Sequence, residues 1–196
     1  MNIFLRRMII GGAAIVGVVL ALALCVYSQL PSYPYGWSHC CLKGLGLALL
    51  QYAEKHDGHF PAGAGSPEAS LSLLYREDYG VGAELLRGKT VPVEKVRSIL
   101  ERGELLGPDT CGWHYVEGLT MSDDPELALV WDKVGLGHNG QDLHGGHSVW
   151  FLHGPEEVIP ASEWPGFLKR QEELMAARTH NTEQPQGAAA PHQPGD

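Results

Sequence analysis

Five side chains able to bind a metal or move a proton stand within the sixteen residues from His138 to His153: His138, Asp142, His144, His147 and His153. Imidazoles and a carboxylate at that density are the donor set of a zinc or other transition-metal centre. His144 and His147 straddle two glycines, which leave both rings room to turn toward one ion. The companions of a catalytic metal site are missing from the sequence, with no His-Glu-x-x-His and no cysteine pair at zinc-finger spacing. On an extended segment, His147, Val149, Phe151 and His153 share one face while Ser148, Trp150 and Leu152 take the other. His147 and His153 are then too far apart to ligate one ion unless the chain bends. Surface or turn histidines are the simpler reading, with no cofactor. The alternative is a membrane-tethered metal-dependent enzyme using the His138–His153 cluster, with His138, Asp142, His144 and His147 as candidate ligands.

Nucleophiles are few. Ser38, Thr110 and Ser148 lack the strand-turn-helix setting of a nucleophile elbow. Cys111 has His114 nearby, but on a strand the two point to opposite faces, so no catalytic residue is expected. Asp123-Asp124 ahead of Pro125-Glu126 is an acidic turn whose oxygens suit calcium, although a solvated turn is the simpler reading. An oxidising compartment would permit a disulfide between Cys111 and either Cys40 or Cys41, leaving the choice open.

The elements that must position these residues follow from periodicity. Leu42, Leu45, Ala48, Leu49 and Tyr52 recur at helical spacing after Ser38, which suits an N-cap. Short helices are predicted from Pro67 to Tyr75, Ala83 to Arg87 and Pro92 to Arg102. Beyond Thr110 the pattern turns extended, giving four candidate strands: Trp113 to Glu117, Glu126 to Trp131, Ser148 to Leu152 and Glu156 to Ile159. Short links between them favour antiparallel pairing. A last helix from Ser162 places Trp164, Phe167, Leu168, Leu174 and Met175 on one face. The expected fold is α+β, with helices packed on one face of a small antiparallel sheet of three to four strands, closed by a C-terminal helix.

At the other end of the chain, Met8 to Tyr27 runs without a charge behind Arg6 and Arg7. As a helix it covers roughly 30 Å, the thickness of the hydrocarbon core of a bilayer. The basic pair before it and the lack of Lys or Arg just after it place the N-terminus in the cytoplasm and the remainder outside, as a single-pass cell-membrane protein. The organisation expected is a membrane anchor over 1–30, a Pro-rich linker over 31–37, an external domain over 38–178 and a disordered tail over 179–196. The whole chain of 196 residues carries a formal charge of −9. Setting Arg6 and Arg7 aside leaves −11 for the external part, which disfavours nucleic acid as a partner.

Two segments carry a family resemblance. Leu42-Lys-Gly-Leu-Gly-Leu-Ala-Leu49, followed by Tyr52 to Gly58 and Phe60-Pro61, resembles the start of the external portion of pilin-like proteins of the pseudopilin type. The run from His144 through Val149-Trp-Phe-Leu-His153-Gly154 resembles that group's C-terminal element of a His, nine residues and Asp-Gly, here with one residue fewer and His153 in the Asp position. Cys111 to Gly118 and Asp123 to Asp132 resemble its central hairpin. The resemblance implies a membrane-tethered external α+β domain with a structural or assembly role, partners among envelope proteins, and no catalytic set. The prepilin "Phe-Thr-Leu-Ile-Glu" start is missing, and Pro31 and Pro34 interrupt the stalk. A tethered single-pass relative is therefore expected rather than a filament subunit.

Overall fold

The computed structural model describes residues 16–25, 42–137, 140–152 and 154–183. The chain divides into two compact units, Met1–Pro34 and Tyr35–Asp196. In the first, residues 16–25 form helix α1, whose Val16, Val18, Val19, Leu20, Leu22 and Leu24 are all exposed. No helix of the described residues is long and apolar enough to cross a membrane. The rest of the Met8 to Tyr27 segment, the linker, Ser38, Cys40 and Cys41 lie outside the described residues.

The second unit is α+β. Its elements are helices α2 (Leu42–Lys55), α3 (Pro67–Leu71), α4 (Leu73–Arg76), α5 (Ala83–Leu86) and α6 (Val93–Glu101), strands β1 (Trp113–Tyr115), β2 (Ala128–Asp132), β3 (His147–Phe151) and β4 (Glu156–Ile159), and helix α7 (Trp164–Glu183). The four strands form one antiparallel sheet in the order β1-β2-β3-β4, so each neighbour in sequence is a neighbour in space. Only the β3–β4 link is short; the β1–β2 and β2–β3 connections are longer loops, yet each strand still pairs with its neighbour in sequence.

Helix α2 lies on one face of the sheet because its apolar stripe, Leu42, Leu45, Ala48, Leu49, Tyr52 and Ala53, needs burial on a single side. That stripe joins Trp113, Tyr115, Val130 and Trp150 in the main core, with Leu71, Leu74, Leu86, Val96 and Leu100 from the short helices. Gly46 is the close-approach point: a Cβ there would overlap the indole of Trp150. The segment expected as one helix from Pro67 to Tyr75 is broken at Ser72. The Ser72 hydroxyl donates to the Glu68 carbonyl while the Ser72 amide turns to Ala69, and the same hydroxyl accepts from the Leu106 amide at 2.9 Å.

Helices on one face only were expected, and α7 departs from that. It covers the opposite face, where Trp164 and Phe167 pack with Trp131, Ile159, Ala128, Val149 and Phe151. Further along, Leu174 returns to the main core. Polar side chains pin it in place. The Gln171 carboxamide accepts from the Ala128 amide and donates to the Glu126 carbonyl, while Arg178 donates to Asp123 and to the Gly118 carbonyl. The helix runs to Glu183, five residues past the Arg178 boundary expected for the tail.

Candidate functional site

The histidine-rich segment is divided by the fold. His147 opens β3 on the α7 face, and its ring lies against Trp164 with centroids 4.1 Å apart. Its Nδ1 is 2.9 Å from Asp132 Oδ1 and 3.1 Å from the Asp132 carbonyl oxygen, so one ring N–H reaches both acceptors. His144 sits in the preceding turn at φ 52, in the left-handed region, with its side chain 88% exposed. Its amide donates to Asp142 Oδ1 at 2.7 Å, an Asx-type turn in which side chain and backbone hold each other. His138 and His153 lie outside the described residues. The structure therefore brings His144 to Asp142 and turns His147 inward to Asp132. Among the described residues no group of three or more His, Cys, Asp or Glu side chains could hold a metal ion.

What the sequence reading missed is the partner set of His147. Asp132 ends β2 with its side chain 1% exposed, and Lys89, 2% exposed, reaches it from the turn after α5 with Nζ 3.6 Å from Oδ2. Lys89 also donates to the Leu136 carbonyl, and its ammonium stands 5.9 Å from the centroid of the Trp113 ring. Burial pushes the Asp132 carboxyl above its ordinary range, outweighing the pull of Lys89 and His147 in the other direction. Chemically, the trio Lys89, Asp132 and His147 is a buried ionic brace. Through a single carboxylate it ties the turn after α5 to the start of β3, and Lys89 also reaches the β2–β3 connection. Lys89 gave no local signal, since Gly88-Lys89-Thr90 reads as any exposed turn. Asp132 closing an apolar strand run was the only hint.

The other candidates fall into structural roles. Cys111 is a buried free thiol whose burial pushes it up to about 12, far from a reactive thiolate. His114 faces away from it, stacked on Trp131 at 5.5 Å, and burial holds its imidazole below the ordinary value. Burial raises the Asp123 carboxyl, but hydrogen bonds from Arg178 and from the Thr120 amide and hydroxyl outweigh this and carry it below its ordinary value. Those donors occupy the oxygens that a calcium ion would need. Ser148 is buried on the core face, with no hydrogen-bond partner for its hydroxyl among the described residues.

No family model, curated protein or solved structure matches the chain.

Proposed function

We propose that the chain is a noncatalytic, membrane-anchored, pilin-like protein of the cell envelope, whose external α+β domain mediates protein contacts or assembly. The observation that carries this reading is the packing of Gly46 on Trp150. It joins the two segments of the sequence resemblance, Leu42 to Leu49 and Val149 to Leu152, into one helix-on-sheet contact. Helix α1 supports the anchor, since a run of exposed Val and Leu is stable only when something apolar surrounds it. The anchor would hold the N-terminus in the cytoplasm and the lipid bilayer around Met8 to Tyr27.

Fusions at the C-terminus test the topology. An alkaline phosphatase fusion should be active and a green fluorescent protein fusion dark, and the reverse pattern refutes the external placement. A photo-crosslinking residue at the exposed Leu47 on α2 should capture envelope proteins in intact membranes. A domain that captures none there, and is found free of the membrane fraction, refutes the contact role.

A further inference from the structure

The order of the sheet leaves β4 at an edge, with β3 on one side and no backbone partner on the other among the described residues. Alternate residues of an antiparallel pair direct their N–H and C=O groups into the shared ladder. The remaining groups of β4 therefore face outward, the arrangement onto which an extended chain adds as a further strand. The register pairs Glu157 with Val149 and Val158 with Ser148. Glu157 consequently stands on the α7 face, and Val158, 54% exposed, on the other.

A separate observation points to a ligand on the same strip. Beside β4 lies an open groove of about 280 Å³ lined by Glu126, Phe151, Glu157, Phe167, Arg170 and Gln171. Its floor is aromatic, with Phe151 and Phe167 meeting edge to face at 6.0 Å between centroids. Arg170 is held by Glu126 at 3.0 Å, and Gln171 is held by the β2 entry. Glu157 has no ion-pair partner among the described residues, and the whole chain carries −9. A charge on an edge strand also deters edge-to-edge aggregation. An apolar floor next to that unpaired carboxylate goes further, because it offers burial to an incoming side chain.

The geometry points to β4 and this groove as a docking strip for an extended, basic segment of a partner protein. That segment pairs with the outer edge of β4, sets a Lys or Arg against Glu157 and seats an apolar side chain on Phe151 and Phe167. A second copy of this chain is a poor occupant, since it brings the same negative charge to the same strip. The inference rests on the proposed contact role and names the chemistry of the partner.

The test uses the full chain in detergent micelles, titrated with a short synthetic peptide of repeating Lys-Thr-Val-Thr, which as a strand sets Lys and Val on the same face, followed by hydrogen exchange and fluorescence anisotropy. The expected result is saturable binding with slowed exchange at residues 156–159. Glu157→Lys should weaken it about tenfold or more, and the same peptide with Glu in place of Lys should not bind. Binding indifferent to Glu157→Lys, slowed exchange at another site, no saturable binding, or concentration-dependent protection of β4 without peptide each overturns the proposal. If the strip fails while Leu47 still captures envelope proteins, only this site falls. If both fail, the contact role falls with it.

Discussion

Breaking the brace between Lys89 and Asp132 from either side should cost a large share of the domain's stability, while replacing both partners should not. The two side chains are almost wholly buried, 3.6 Å apart. At that distance and an effective dielectric of about 20, two unit charges attract by about 4–5 kcal/mol. Removing one partner strands the other in the interior, which costs about 3–5 kcal/mol against a total stability of about 5–15 kcal/mol. Asp132→Leu should be the harsher single change, because it leaves the Lys89 ammonium with only the Leu136 carbonyl and the Trp113 ring. Lys89→Met leaves Asp132 with the N–H of His147, so its loss should sit at the low end of that range. The double variant replaces both charges by apolar groups and should return to within about 2 kcal/mol of the parent. Urea unfolding of the four proteins, followed by tryptophan fluorescence, closes the cycle. Single variants that each lose less than about 1 kcal/mol, or a double variant as unstable as the sum of the two, would refute the argument.

Three further outcomes follow from the packing and the charges. Gly46→Ala places a methyl group into the Trp150 indole and should destabilise by about 1–3 kcal/mol in the same unfolding assay, since neither the helix nor the ring has room to yield. Asp123 has its carboxyl held below the ordinary 3.8, so its contribution to stability is present above that value and fades as pH falls through the lower folded value. Asp123→Asn should therefore flatten the acid limb of a stability-against-pH curve. Under reducing conditions, Cys111, buried and with its thiol pushed up to about 12, should alkylate only after unfolding, as mass spectrometry of native and denatured samples will report.

Much of the second unit was legible because its signals are local. The three-four spacing of Leu42 to Tyr52 and the β-branched and aromatic runs of the strands each specify one buried side, and the tight β3–β4 link leaves antiparallel pairing as the simplest choice there. Alternation along His147 to Phe151 also assigned Val149 and Phe151 to one face and Ser148 and Trp150 to the other, as observed. The remainder was illegible for a physical reason: it depends on what approaches from elsewhere. The apolar stripe of α7 says that the helix packs, but not on which side of the sheet. The Ser72 hydroxyl at the break is held from a distance by the Leu106 amide, and Lys89 is covered by the β2–β3 connection, whose Leu136 carbonyl it meets. Density of histidines suggested a cluster. The fold instead separates His144 from His147, since a strand start and an exposed left-handed turn point their side chains to different surroundings.

The bedding of Gly46 on Trp150 also governs when the domain can be completed. Its two halves lie far apart in sequence, so a long loop must close before the contact rewards it. During synthesis α2 emerges early and can meet the short helices, β1 and β2 before β3 brings Trp150. The part of its stripe that faces Trp150 stays open to chaperones and proteases throughout that interval. Folding speed should therefore be set by the arrival of the third strand rather than by the formation of the first helix.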